Sequence, residues 1–172
     1  MQTTATAEAS TFPRLLLKHA TERPGAPAMR EKEYGIWQTR SWADMATLVE
    51  HLACGLHQAG LQRGEHMIVV GANRPRLSAT MLAAQALGAI PVPLYQDAAA
   101  AECVFPITNA EVRFCLVEDQ EQVDKMLEVR ESCPQLAHIY YDAPRGLRNY
   151  HEAGLTALDE LLTAGQSFAA SH

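Results

Sequence analysis

The 172-residue sequence has few cysteines, few aromatic residues and no cluster of positive charge. Its four cysteines form no C-x-x-C pair and follow no metal-ligand spacing, so neither a disulfide framework nor a zinc site is indicated. The seven histidines contain no H-E-x-x-H motif. A net charge of −6 argues against nucleic-acid binding. We therefore expect a protein with reduced thiols, no metal centre and no nucleic-acid partner.

No segment has the character of a membrane span or a secretory signal. Leu77–Tyr95 has no charged residue over 19 positions. A glycine and two prolines interrupt it, so only about a dozen residues could be helical, where about 20 are needed to cross a bilayer. The N-terminus has neither a basic region nor an apolar core, and we predict that residues 1–10 are a disordered lead-in. These features indicate a cytoplasmic protein without a transmembrane segment.

The first third of the chain predicts a helix, a hairpin and a second helix. Thr11 is placed to cap the first helix, which Pro24-Gly25 ends. Two short strands on either side of "EKEYG" read as a β-hairpin. Ser41, three residues before Asp44, opens a longer amphipathic helix with a capping box.

From residue 67 the sequence alternates between apolar strands and helical patterns. The predicted strands are Met67–Val70, Ile90–Leu94, Arg113–Val117 and Ile139–Tyr141. The predicted helices between them are Pro75–Leu87, Ala98–Asn109 and Glu121–Ser132. This βαβ rhythm predicts an α/β fold with a mostly parallel sheet and helices on both faces, preceded by the helix and hairpin.

After Tyr141 the pattern weakens. Residues 142–154 read as a loop, Leu155–Leu162 as one short helix, and residues 166–172 as a disordered tail. The predicted subdomain therefore spans residues 11–165. A parallel sheet that stops here has an exposed edge, which natural domains usually cover.

The segment Gly71-Ala72-Asn73-Arg74-Pro75 joins the first parallel strand to the next helix. Asn73 can cap that helix, and Pro75 suits its first turn. Neither G-x-G-x-x-G nor G-x-x-x-x-G-K-[ST] occurs in the chain. The segment therefore indicates a helix start rather than a nucleotide loop, with a helix mouth facing a substrate tunnel as the alternative.

Other polar clusters have simple structural interpretations. Glu118, Asp119 and Glu121 are predicted to be solvated and to favour the positive N-terminus of the next helix, a metal site being the less favoured reading. Tyr140 and Tyr141 end a strand, so we predict one ring directed inward and one outward. We therefore assign no catalytic, cofactor-binding or metal-binding residue.

Four pieces in order carry a family resemblance: "TFPRLLLKHATERPGAPAMR", "WQTRSWADMATLVEHLACGLHQAGLQRGEHMIVVGANRPRL", "TMLAAQALGAIPVPLY" and "ITNAEVRFCLVEDQEQVDKML". Together they resemble the amino-terminal part of AMP-forming acyl-CoA synthetases, especially long-chain fatty-acid–CoA ligases. The resemblance covers residues 11–162. Glu65-His66 replaces the family's usual Asp-Arg, and Arg76 stands where the family often has an acid; both read as surface changes.

The resemblance implies a two-step ligase reaction in a full-length enzyme. ATP and a carboxylic acid form an acyl-adenylate and pyrophosphate, and CoA then displaces AMP. ATP, Mg²⁺ and CoA are the implied cofactors, and cations would stabilise the phosphate charge as the bond forms. The family's Ser/Thr/Gly-rich phosphate loop follows the region that is matched and does not occur in this sequence.

The resemblance therefore implies an amino-terminal fragment that is inactive alone and has the remainder of a synthetase as its partner. Asn73 and the residues Ala89, Ile90, Pro91 and Val92 are candidates for lining the acyl tunnel. Exposed surface that would meet the next subdomain predicts homo-oligomerisation. A stand-alone α/β binding or interaction module remains the alternative; a flavodoxin-like nucleotide binder is disfavoured because the turn at Gly71 supplies too few loop donors.

Overall fold

The structure is a computed structural model that describes residues 11–171. The helices are α1 (Phe12–Glu22), α2 (Trp42–Gln58), α3 (Pro75–Ala86), α4 (Ala100–Asn109), α5 (Gln120–Val129) and α6 (Leu158–Ala169). The strands are β1 (Pro27–Glu33), β2 (Ile36–Ser41), β3 (His66–Val70), β4 (Ile90–Leu94), β5 (Phe114–Val117), β6 (His138–Tyr141) and β7 (Leu155–Ala157). The predicted lead-in, residues 1–10, lies outside the described residues.

Five strands form a parallel sheet in the order β4-β3-β5-β6-β7, and β1 and β2 form a separate antiparallel hairpin. The central strands β3 and β5 are apolar at almost every position, as strands covered on both faces must be. The predicted α/β class is confirmed, as are the preceding helix and hairpin.

Helices cover both faces of the sheet. On one face α1, α2, α3 and α6 pack over the inward side chains Met67, Val69, Phe114, Leu116 and Tyr140. On the other face α4 and α5 pack over Ile68, Val70, Cys115, Val117 and Ile139. Tyr140 and Tyr141 lie on opposite faces of the sheet, and the ring predicted to be directed outward, that of Tyr141, is half-buried against this second core.

The predicted start of α2 is confirmed in detail. The Ser41 hydroxyl accepts a hydrogen bond from the Asp44 amide at 3.1 Å, and the Asp44 carboxylate accepts one from the Ser41 amide at 2.8 Å. These hydrogen bonds from Ser41 lower the pKa of Asp44. The capping box therefore fixes where the hairpin ends and the helix begins.

The C-terminal prediction needs two corrections. Leu155–Ala157 is the strand β7, which pairs with β6, and α6 starts only at Leu158. The helix then runs to Ala169, so residues 166–169 are helical rather than part of a disordered tail. Packing stabilises it, since Gly165 lies directly against the backbone of α2 at His51.

The outer edge of β4 has prolines at the positions that face away from the sheet. The Ile90 amide donates to the Glu65 carbonyl at 2.8 Å, so residues 90, 92 and 94 bond to β3. The outward positions are Pro91 and Pro93, which have no N–H to offer. This arrangement blocks strand addition at the β4 edge.

None of the helices described between residues 11 and 171 combines the length and apolar character needed to cross a membrane.

Candidate functional site

The connections that follow the neighbouring strands β3 and β5 lie on opposite faces of the sheet. From β3 the chain passes through α3 on one face to β4, and from β5 it passes through α5 on the opposite face to β6. In open α/β sheets such a switch in direction creates the crevice where ligands commonly bind. The turn after β3 and the residue after β5 are therefore the first candidate site.

Gly71 allows the two connections to approach each other closely. Its φ angle is 153°, and a Cβ atom at this position would lie 2.6 Å from both the Glu118 Cβ and the Leu77 Cδ2 atoms. Contacts this short do not occur between real side chains. A larger residue at position 71 would therefore force the connection that follows β3 away from the connection that follows β5. Gly71 is therefore required by the Glu118 side chain as well as by the turn.

The predicted helix start is half correct. Pro75 occupies the first turn of α3, as expected, but the N-cap is Arg74 and no side chain caps the helix. A proline restricts the residue before it to extended backbone, which places the cap at Arg74 (φ −105°, ψ 156°) rather than at Asn73. The exposed Asn73 instead accepts a weak hydrogen bond from the Ser78 hydroxyl at 3.4 Å.

Glu118 fills the crevice. One carboxylate oxygen accepts a hydrogen bond from the Ala72 amide at 2.5 Å, and the other lies 2.6 Å from the Arg74 Nε atom. The side chain is only 14% exposed, so the prediction that it is solvated is wrong. The hydrogen bond to Glu118 raises the pKa of Arg74. The crevice thus already contains an anion, supplied by the chain itself.

The rest of the acidic cluster behaves as predicted. Asp119 is the N-cap of α5 and accepts a hydrogen bond from the Gln122 amide at 3.3 Å. Glu121 is exposed and lies 2.9 Å from Lys125 one turn later. Only Glu118 departs from the prediction, because the strand order brings it beside a turn 46 residues away.

A second ion-pair group lies along the same sheet edge. Arg76 Nε lies 2.8 Å from an Asp142 carboxylate oxygen, and the Arg76 Nη2 atom lies 2.5 Å from Asp159. The Nε–H is poorly aligned with the Asp142 oxygen, so this contact is electrostatic rather than a well-directed hydrogen bond. Arg76 had been predicted to be a surface change; it is instead a half-buried ion-pair partner. Glu65, likewise, pairs with Arg113 at 2.8 Å.

Asp142 is the least solvated of these carboxyl groups. Its side chain is 11% exposed, and burial raises its pKa although Arg76 opposes the shift. A raised pKa in the folded state means that ionised Asp142 costs stability above that pKa, and that protonation relieves the cost as the pH falls.

Replacing Asp142 by asparagine should therefore change the pH dependence of stability. The quantity to compare is the stability difference, which is the free energy of unfolding of Asp142→Asn minus that of the unmodified chain. We expect this difference to be larger at pH 7 than at pH 4. Urea denaturation at each pH measures it. The exposed Asp97→Asn provides the control, since its removal relieves no buried charge. A difference that is the same at both pH values for Asp142→Asn would contradict the assignment.

A small cavity of about 180 Å³ adjoins the turn. Its walls are Val69, Gly71, Ala72, Asn73, Leu77, Ser78, Met81, Pro93 and Leu94. Among the candidate tunnel residues, only Asn73 lines it. Ala89 is buried at the opposite end of β4. The half-exposed Ile90 is at the same end and pairs with His66, while Pro91 and Val92 lie between the two ends of the strand. The structure therefore places Asn73 beside the carboxyl end of β4, and away from the start of the strand where Ala89 and Ile90 lie.

The residues present do not fit a nucleotide triphosphate or its metal ion. The amide and guanidinium donors at the crevice already bond to Glu118, and a triphosphate needs several oriented donors. Within residues 11–171, no group of three or more His, Cys, Asp or Glu side chains could hold a metal ion. We therefore derive no chemical step at this site.

Comparison with known proteins places the chain in a family. The family model described as AMP-binding enzyme matches residues 16–163. The chain belongs to the AMP-binding enzyme family.

Other AMP-binding enzymes and their relatives give the extent of the similarity. The long-chain-fatty-acid–CoA ligase FadD15 of Mycobacterium bovis is 24% identical over 89% of this chain, which spans 24% of the ligase. An uncharacterised protein of Mycobacterium tuberculosis is 30% identical over 79% of this chain and 74% of its own length. The acetoacetyl-CoA synthetase of Streptomyces lividans has a TM-score of 0.77 at 21% identity, over 87% of this chain and 24% of that one. The chain thus spans about a quarter of the ligases it matches.

Proposed function

We propose that the chain is the amino-terminal α/β scaffold of an ATP-dependent, AMP-forming fatty-acid–CoA ligase. In the whole enzyme, a fatty acid and ATP would give an acyl-adenylate and pyrophosphate, and CoA would then displace AMP. The observation that carries the proposal is the family match over residues 16–163. The name of the similar ligase supports a fatty acid as the substrate.

The scaffold would act by holding the carboxyl edge of the sheet rigid. The two arginines of that edge, Arg74 and Arg76, tie the β3 connection to the residues that follow β5, β6 and β7. Because each connection is bonded to another, the edge can present a fixed surface to the remainder of the synthetase, its proposed partner.

The acyl chain would pass along the side of the sheet where β4 lies. Asn73 has the strongest geometric support, since it lines the small cavity together with Pro93 and Leu94. Ala89, Ile90, Pro91 and Val92 would contribute farther along the same strand. ATP, Mg²⁺ and CoA would be held by parts of the enzyme other than the crevice that Glu118 fills.

The 172-residue chain alone should have no ligase activity. Its crevice has no free donor set for a triphosphate, because Glu118 already bonds to the Ala72 amide and to Arg74. We expect ATP–pyrophosphate exchange with a long-chain fatty acid to stay at the level of heat-denatured protein. A full-length long-chain ligase serves as the positive control. Exchange that depends on both the fatty acid and the folded chain would contradict the proposal.

A stand-alone interaction module is the second candidate. It is favoured by the uncharacterised Mycobacterium tuberculosis protein, because the match covers 74% of that protein's own length. Such a module would pair through the outer side of β7, which has no neighbouring strand among the described residues, since Pro91 and Pro93 remove amide donors from the β4 edge. Sequencing the coding region past codon 172 separates the two: a Thr/Ser/Gly-rich loop supports the scaffold, and a stop codon supports the module.

A further inference from the structure

A polar cleft of about 770 Å³ lies at the edge where the parallel strands begin, opposite to the crevice that Glu118 fills. Its walls come from the residues before β3, the end of α4 with the turn that follows it, and the loop before β6. They are Arg63, Gly64, Glu65, His66, Thr108, Asn109, Ala110, Glu111, Arg113 and Gln135. Eight of these ten have polar side chains, so the cleft suits a polar ligand rather than a hydrocarbon.

One wall of the cleft is positively charged. Glu65 lies 2.8 Å from the Arg113 Nη1 atom, and the Arg113 Cζ atom lies 5.4 Å from the centre of the Phe114 ring, so this guanidinium is held on two sides. The other Glu65 oxygen accepts a hydrogen bond from the Gln62 amide at 2.7 Å, which engages both oxygens of the carboxylate. Arg63 adds a guanidinium that has no ion-pair partner within residues 11–171. The wall therefore has one unbalanced positive charge.

The other wall is negatively charged. Helix α4 ends at Asn109, and the carbonyl end of a helix has a partial negative charge. Glu111 follows two residues later, and its exposed carboxylate forms no ion pair in the part of the chain that the structure describes. A cation at Arg63 and an anion at Glu111 therefore line one cleft without pairing with each other.

The backbone at Glu111 is unusual for a glutamate. Its φ angle is 49°, in the left-handed region, and it directly follows Ala110, the C-cap of α4. Glycine is preferred at this position because a Cβ atom makes the left-handed conformation unfavourable. A residue that breaks a local stability preference while its carboxylate lines a cleft is a candidate for function rather than for folding.

We propose that this cleft binds a small zwitterion in which a carboxylate and an ammonium group are well separated, such as an ω-amino acid or a short peptide. The carboxylate would bond to Arg63 and Arg113, since guanidinium groups match the geometry of a carboxylate. The ammonium group would lie between Glu111 and the carbonyl end of α4. A ligand with only one charge, or a phosphate, would leave Arg63 or Glu111 unpaired. The inference does not depend on the proposed ligase function.

An NMR titration of the ¹⁵N-labelled 172-residue chain tests the site. The probes are 4-aminobutyrate, diglycine and triglycine, which have the same two charges at different separations. We expect at least one of them to bind saturably, with amide shifts at Gly64, Asn109 and Ala110. Derivatives of that probe that are N-acetylated or amidated lack one charge each and should bind about tenfold more weakly, because a hydrogen bond between charged groups is lost. Inorganic phosphate should also bind more weakly than the zwitterion.

Variants separate the two walls from the rest of the surface. Arg63→Gln and Glu111→Gln should each weaken binding of the same probe about tenfold. Arg145→Gln and Glu160→Gln change exposed residues outside the cleft and are the matched controls, which should bind the probe as the unmodified chain does.

Glu111→Gly distinguishes a role in binding from a role in folding. This variant should bind the probe as weakly as Glu111→Gln, while its urea midpoint shifts upward because glycine suits left-handed backbone. A loss of both binding and stability would contradict the proposal, since Glu111 would then act on the fold. The proposal would also be overturned by the absence of saturable shifts with all three probes, by equally tight binding of the single-charge derivatives or phosphate, or by equal losses in the cleft and control variants.

Discussion

Replacing Gly165 by alanine should lower the free energy of unfolding by about 3 kcal/mol or more. Gly165 lies in α6 where that helix crosses α2, and an added Cβ atom would overlap the His51 carbonyl oxygen. A Cβ atom added at Gly55 on the facing helix would likewise overlap the Leu161 carbonyl oxygen. Both partners are backbone, so neither helix can relieve the overlap by moving a side chain, and the two helices must separate.

The steric overlap and the helix propensity of alanine predict stability changes of opposite sign. Alanine is the better helix former by about 1 kcal/mol, so without the overlap the substitution would stabilise α6. Gly25→Ala is the matched control, since a Cβ atom there meets nothing within 4 Å. Urea denaturation monitored by circular dichroism measures both variants. A Gly165→Ala chain as stable as the Gly25→Ala chain would disprove the close crossing of α2 and α6.

Replacing Glu118 by alanine should lower the free energy of unfolding by about 2 kcal/mol. The loss comes mainly from the Ala72 amide, which would be left without its acceptor next to a buried strand end. Arg74 would lose less, because it is 46% exposed and lies 3.7 Å from Glu31. Glu118→Gln keeps an acceptor oxygen for the amide and should recover part of the stability.

Glu121→Ala is the matched control for this second substitution. Glu121 lies three residues from Glu118, but its side chain is 70% exposed and its pair with Lys125 is screened by water. We expect a change within about 0.5 kcal/mol in the same urea denaturation experiment. Equal effects of Glu118→Ala and Glu121→Ala would show that the crevice contributes no more than an ordinary surface carboxylate.

The parallel sheet could be predicted because its central strands are continuous apolar runs. Ile68-Val69-Val70 and Cys115-Leu116-Val117 can be covered only by helices on two faces, and the spacing between them leaves room for those helices. Strand β7 could not be predicted in the same way. It has only three residues, and Leu155, Leu158 and Leu162 together have helical spacing.

The site was harder to predict because its bonds join distant parts of the chain. Glu118 and Ala72 are 46 residues apart, and only the order β3-β5 places them side by side. A local rule, the N-cap preference of asparagine, favoured Asn73; a second local rule, the restriction before Pro75, prevailed at Arg74. The last turn of α6 was missed because its residues are mostly small or polar, with Phe168 as the one large apolar side chain. Its stability comes from contact with α2, where the Phe168 ring packs against His57.

The two prolines of β4 limit how copies of this chain can associate. Edge-to-edge growth of a ribbon requires every unit to offer two receptive edges, one for each neighbour. Pro91 and Pro93 remove the outward amides on one side, while β7 has no neighbouring strand on its outer side among residues 11–171. Two copies could therefore meet through β7 and close into a pair, but strand addition cannot continue into a fibre.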